Sequence, residues 1–173
     1  MLPEQLATPS GTGMTSPSFP TLGRAPDREP FWFLGARARI LISGGATDNR
    51  FSLMEFAGPV GHGPPHHVHE DEDAVWFVLD GEVTFFIGDQ RHDLAAGQVA
   101  YGPRGIPHSY LVRSPQGARV GVLFSPACVE EFFRANGTPV AETGDLPPDF
   151  DQALVMASSD PFHLRLTGVP PAC

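Results

Sequence analysis

Apolar residues in this chain recur in short runs with a period of two, not in the three-to-four-residue period of helices. Arg37–Ser43 shows it most cleanly: Ala38, Ile40 and Ile42 fall on one face, and Arg37, Arg39 and Leu41 on the other. Phe31-Trp32-Phe33, Phe51–Ala57, Ala74–Asp80, Glu82–Gly88, Gln90–Asp93, Gln98–Gly102, Ser109–Arg113 and Arg119–Ser125 read as further strands, with Phe162–Leu166 as the last. Asp80-Gly81, between two of them, is a favoured tight-turn dipeptide. Strands at a spacing of roughly 8–12 residues, punctuated by turn residues, predict an all-β sandwich or barrel. Two short helices follow the main run of strands. One is Val129–Ala135, closed by Asn136-Gly137 as a C-terminal cap; the other is Phe150–Ser158, after Pro147-Pro148. No internal repeat is present, so one barrel is expected. Residues 1–29, rich in Pro, Ser, Thr and Gly without apolar period, read as a flexible or extended arm ahead of a single domain over 30–173.

Composition narrows the function classes. The 19 glycines and 19 prolines among 173 residues exclude a helical bundle. All 11 basic residues are arginine, which excludes lysine Schiff-base chemistry and a P-loop lysine. A net charge of −9 argues against nucleic acid and against an anionic membrane surface. No apolar run approaches the roughly 18 residues of a membrane span, and Met1–Ser10 lack the charged-then-apolar order of a signal peptide. Cys128 and Cys173 follow no zinc or disulfide pattern. A cytoplasmic protein with free thiols is the expectation.

The chemistry sits in the histidines. Four of the seven lie between His62 and His69. His67 and His69, two apart, share one face if they lie on a strand, where two imidazoles can share one metal ion. His108 lies about 40 residues on, at the end of GQVAYGPRGIPH, whose Gly and Pro mark sharp turns. If that strand packs beside the first, His108 closes a set of three nitrogen ligands. His62, His92 and His163 show no partner pattern, and adjacency to His67 turns His66 to the opposite face.

Two stretches resemble the paired motifs of the cupin superfamily. The first, GPPHHVHEDEDAVWFVLDG, runs from Gly63 to Gly81; the second, GQVAYGPRGIPH, places Gly97, Pro103, Gly105 and His108 at the family's spacing. Over roughly residues 30–171 the chain is similar to single-domain quercetin 2,3-dioxygenase-like cupins of bacteria. The resemblance implies a double-stranded β-helix, a jelly-roll barrel with short C-terminal helices and a metal inside the barrel mouth. It also implies a homodimer, which the need to cover strand edges supports.

The pattern breaks at one position. The family's fourth ligand is a glutamate seven residues before the closing glycine, and here that residue is Ala74. Asp73 would replace it only through a bulge that re-aims the side chain. Glu72 shares the parity of Ala74 and would act through water or as an acid/base near the metal; the bland alternative is that Glu70–Asp73 is a solvated acidic turn. Otherwise the site is a true three-histidine centre, His67, His69 and His108, for one divalent transition metal: Fe, Ni, Mn, Cu or Zn. Trp76 and Tyr110 point inward by parity. They would line the substrate pocket, suiting an aromatic or polyketide-like small molecule, with Glu72 and Tyr110 as the candidate catalytic groups; ordinary barrel packing explains the two aromatics as well. Alanine at 74 beside Trp76 would enlarge the cavity. Arg104 would meet an anionic substrate at the rim or serve as a solvated turn residue.

Three functions stand open. The first is a quercetinase-like dioxygenase acting on an aromatic or enol small molecule. The second is a non-oxidative metal-dependent isomerase, cyclase, dehydratase or epimerase. The third is a non-catalytic binding barrel.

Overall fold

The structure, a computed structural model, describes residues 29–168. The expected arm therefore lies, but for Glu29, outside the described residues, as does Cys173. Strands come first: β1 (Phe31–Phe33), β2 (Ala36–Ile42), β3 (Ser52–Gly58), β4 (His66–His69), β5 (Asp73–Asp80), β6 (Glu82–Ile87), β7 (Gln90–Ala95), β8 (Val99–Gly102), β9 (His108–Val112) and β10 (Ala118–Ser125). Helix α1 (Glu130–Asn136), strand β11 (Thr138–Pro139), helices α2 (Val140–Thr143) and α3 (Gln152–Ala157) and strand β12 (Leu164–Gly168) complete it. Two antiparallel sheets face each other, in the orders β11-β1-β2-β3-β10-β5-β8 and β12-β4-β9-β6-β7. This is the double-stranded β-helix. No helix among the described residues is long and apolar enough to cross a membrane.

Alternation sets the inner faces. In β5, Ala74, Trp76 and Val78 are buried while Val75 and Phe77 turn outward. In β2 the same rule holds from Ala36 to Ile40 and then fails. Ile40 pairs with Met54 but Ile42 pairs with Leu53, so Leu41 is an extra residue in the ladder. The expected split of Ile42 from Leu41 is lost there, and both are half-buried. The β5–β6 hairpin turns at Gly81, whose φ of +80° disfavours a side chain. A Cβ there would also lie 2.7 Å from the Gly117 carbonyl oxygen.

The C-terminal region closes one side of the barrel. Phe132 of α1 is 2% exposed and meets Phe33 edge-on, with ring centroids 5.6 Å apart. Burying such a ring contributes about 2–3 kcal/mol. Glu130 is buried too, but its carboxylate accepts hydrogen bonds from the Gly44 and Cys128 amides. Gly137 does not form the expected left-handed cap: its backbone is extended, with φ −83° and ψ 145°. Glycine is needed because a Cβ would sit 2.3 Å from the Phe31 ring. Phe162 ends a 3-10 turn, not a strand, and β12 begins two residues later, antiparallel to β4.

Candidate metal centre

Strand β4 is only four residues long, yet it is held on both edges. His67 stands directly opposite His108 of β9, and His67 and His69 pair with Leu166 and Leu164 of β12. The chain leading into β4 presses on β9 at Gly63, where a Cβ would fall 1.9 Å from the Tyr110 carbonyl oxygen. Only glycine permits that approach.

His67 and His69 come together as their two-residue spacing requires, and the β4–β9 pairing adds His108. Each offers one nitrogen, and these atoms lie within 4.8 Å of one another. The His67 and His108 ring centroids are 4.7 Å apart, and the His69 and His108 rings stack, with 9° between their planes. Two tautomers follow from the hydrogen bonds. His67 Nδ1 lies 2.8 Å from the Pro65 carbonyl oxygen and His108 Nδ1 lies 3.0 Å from that of Ile106. A carbonyl only accepts, so both Nδ1 atoms donate and both Nε2 atoms carry the lone pair. Burial, first of all, pushes His67 and His69 down to about 3 and His108 to about 2, with repulsion from neighbouring rings adding to the shift at His67 and His108. All three are neutral at pH 7, the form that binds a metal.

The fit to a cation rests on two contacts. His67 Nε2 and His69 Nε2 face each other at 3.2 Å. His108 Nε2 is buried and has no partner among the described residues. Lone pairs that converge away from water are stabilised by a shared cation, and an all-imidazole set suits borderline divalent ions.

Position 74 carries no donor. Ala74 is fully buried, between Phe124 of β10 and Gly102 of β8 in its row of the sheet. Aromatic rings stand close by. Trp76 leans over Gly102, so that a Cβ there would be 2.6 Å from its ring, and it meets His108 edge-on at 4.9 Å. Phe124 lies 5.2 Å from the ring of His69. Trp76 thus fills the space over Gly102, the residue paired with Ala74 on β8.

Neither neighbouring acid stands in for the missing ligand. Asp73 turns outward with β5 in regular register opposite Ser125, without the bulge that would re-aim it. Its Oδ1 accepts from the Arg104 amide and Nε, and its Oδ2 from Nη2 at 3.0 Å. These bonds hold the Asp73 carboxyl below its usual range, and they engage Arg104, the expected rim residue. Glu72 is buried behind His69, its Oε2 3.6 Å from His69 Nδ1, and it does not line the cavity. Burial, reinforced by Asp71, pushes its carboxyl up to about 7. His66 does not line the cavity either. His163 pairs with Asp71 on the surface.

A cavity of about 70 Å³ extends from the triad along β9. Trp76 and Tyr110 line it, as their parity predicts, and so do Phe132 and Phe133, which also fasten α1 to the sheet. Burial raises the Tyr110 phenol above its ordinary value, so it stays protonated. His62 also lines the cavity, a position that its spacing did not announce. Its Nδ1 is buried without a partner among the described residues, and burial pushes it down to about 4. The adjacent Gly63 was the one available signal, since it presses this segment against β9.

Residues 54–124 match the family model described as a cupin domain. Quercetin 2,3-dioxygenase of Bacillus subtilis is 33% identical over 116 residues, which are 67% of this chain and 34% of that protein. The chain thus spans about a third of that relative's length. Among solved structures, a predicted oxalate decarboxylase from Thermotoga maritima superposes with a TM-score of 0.54 at 20% identity, covering 60% of this chain and 96% of that one. A nucleoside dehydratase from Streptomyces gives 0.51 at 15% identity, covering 62% and 83%. At these identities the two structures show a shared fold.

Proposed function

Because the chain is a cupin-superfamily protein, we propose that it is a metal-dependent enzyme of the quercetinase-like kind, a dioxygenase acting on an aromatic or enol-type small molecule. One observation carries this reading. Three neutral histidines, two buried and one half-buried, turn toward one another at the end of an apolar cavity, within the stretch that matches the cupin model. His67, His69 and His108 would hold one divalent transition ion. Such an ion supplies Lewis-acid polarisation of an enol or phenol oxygen and, if redox-active, a route to O₂.

The protein's own groups do the rest. Phe33, Phe56, Phe124 and Phe132 keep water out. Tyr110 Oη, protonated, donates a hydrogen bond to a second oxygen of the substrate. No carboxylate lines the cavity, so His62, held neutral, is the group there that can accept a proton. Trp76 gives the ring wall beside His108. A water-sized site needs about 10–15 Å³, so 70 Å³ favours a compact substrate, a small enol or a single aromatic ring.

A second reading keeps the ion as a Lewis acid only, in an isomerase, cyclase, dehydratase or epimerase. Ala74 favours it, since no carboxylate stands at that position to act as a base. A non-catalytic binding barrel is the third. The proposal includes a cytoplasmic setting and a homodimer. Cross-strand pairs Val75–Tyr101 and Phe77–Val99 support the homodimer, for they leave an apolar strip on the outward face of the seven-stranded sheet.

The test is metal content by mass spectrometry on untagged protein purified without chelator, beside a His67→Ala, His108→Ala double variant. Near-stoichiometric metal that the variant loses is expected. Oxygen consumption with a panel of phenols and enols then separates the first reading from the second. A protein that takes up no Fe, Ni, Mn, Cu or Zn would sink both enzyme readings.

A further inference from the structure

Two buried polar atoms beside the triad lack partners among the described residues, and they face each other: His69 Nδ1 and Glu72 Oε2, 3.6 Å apart. The two side chains are 2% and 3% exposed. Hiding a carboxylate in this way is costly and calls for a reason. His67 and His108 show what Nδ1 does at this site, since each donates it to a main-chain carbonyl and leaves Nε2 free. No carbonyl lies within hydrogen-bond reach of His69 Nδ1; Glu72 stands there instead.

Resting on the metal-dependent reading above, we propose that Glu72 is a positioning residue for the centre: when an ion is bound, its carboxylate closes the 3.6 Å gap and accepts the Nδ1–H of His69. That bond fixes the ring with Nε2 toward the other two histidines, and it restores to the site a negative charge that Ala74 does not provide. Carboxylates placed behind a ligating imidazole orient the ring and raise its basicity. Glu72 cannot be the missing ligand itself, because it lies on the Nδ1 edge of the imidazole, away from the converging Nε2 atoms.

The turn that carries Glu72 is built to hold it inward. The Glu70 amide donates to the His163 carbonyl at 3.0 Å. Asp71 pairs with the His163 ring, and Glu70 with Arg165. Glu70 and Asp71 are therefore fastened outward, to Arg165 of β12 and to His163 just before it. The nearby acid Glu130 is engaged with the Gly44 and Cys128 amides and does not bond to Glu72.

The experiment compares wild type, Glu72→Gln and Glu72→Asp, each stripped of metal and titrated with Co²⁺ and Zn²⁺ against a competing chelator. Glu72→Gln should bind about 10–100-fold more weakly and change the ligand-field spectrum of the Co²⁺ form, with Glu72→Asp recovering part of both. Its metal-free melting temperature should not fall, since without an ion the two groups stand 3.6 Å apart and glutamine keeps the shape of the side chain. A purely structural Glu72 would give the reverse: a lower metal-free melting temperature with an unchanged Co²⁺ spectrum and affinity. If neither variant folds, nitrogen NMR of the Zn²⁺-loaded wild type decides. His69 protonated at Nδ1 and metallated at Nε2 supports the inference; the opposite tautomer overturns it. Wild type that binds no metal overturns the function proposed above, which is a separate outcome from wild type and Glu72→Gln binding alike.

Discussion

Replacing Gly102 by alanine tests the aromatic wall beside His108. The new Cβ would lie 2.6 Å from Cη2 and Cζ3 of Trp76 and 3.4 Å from His108 Nδ1, where ordinary contact begins at 3.4 Å. The indole must retreat by about 1 Å, the gap between those distances, and it has little freedom to do so. Trp76 is 5% exposed and is packed against Phe85 at 5.5 Å and His108 at 4.9 Å. Overpacking of this kind costs about 1–3 kcal/mol. Removing a strand glycine where space allows instead gains about 0.5–1 kcal/mol. The net expectation for Gly102→Ala is a loss of about 1–2 kcal/mol.

Gly121 supplies the control. It lies in β10 of the same sheet, and a Cβ there meets only Leu79 at 3.6 Å and more distant atoms, ordinary contacts. Gly121→Ala should be neutral or stabilising by up to about 1 kcal/mol. Urea unfolding followed by fluorescence, with equal m-values, measures both. A Trp76→Phe background, with its smaller ring, should abolish most of the Gly102→Ala penalty, and the double-mutant cycle should show coupling of about 1 kcal/mol or more. Equal stabilities for the two alanine variants, or strict additivity with Trp76→Phe, would refute the idea that Trp76 leans over Gly102.

Ala74→Glu should destabilise the metal-free protein by about 3–5 kcal/mol, the cost of an uncompensated buried charge, and a divalent ion should raise its melting temperature by more than it raises that of wild type; unchanged metal-free stability would contradict the packing described. His62 is held neutral below its ordinary 6.5, so the unfolded chain takes up the proton first as pH falls. Stability is complete above that value and is lost between 6.5 and about 4. Between pH 7.5 and 5.5, His62→Gln should lose about 1 kcal/mol less than wild type; parallel pH profiles would show that His62 titrates freely. Phe77→Arg on the outward apolar strip should shift sedimentation from homodimer to monomer, and a wild type that sediments as a monomer would remove the dimer from the proposal.

Much of the fold was legible because inward and outward positions alternate strictly once a strand is half-buried. Ala74, Trp76 and Val78 could be assigned to the core from spacing alone, and so could the shared face of His67 and His69. His108 was legible through the glycines and proline that return its strand. Alternation stops carrying information where the backbone leaves the ladder. Leu41 is an extra residue that no local pattern announces, and Gly137 is required by the ring of Phe31, more than a hundred residues away. His62 lies on an irregular approach whose direction depends on how closely Gly63 meets β9.

Glu72 marks the same boundary at the centre of the proposed chemistry. Its parity with Ala74 aims it toward the cavity only if β5 is extended backward as a regular strand, and the strand begins at Asp73. One residue earlier the chain is already turning, tied by Glu70 to Arg165 of β12 and by Asp71 to His163 just before it. The carboxylate therefore arrives behind His69 instead of beside it. Loss of a fourth ligand and gain of a buried carboxylate one step further out are then two aspects of a single arrangement. No carboxylate lines the cavity among the described residues, and His69 has a buried acid behind its ring, so a negative charge can act on an ion through that imidazole. The metal affinity of Glu72→Gln therefore bears on why this chain tolerates alanine at position 74, as well as on the role of Glu72 itself.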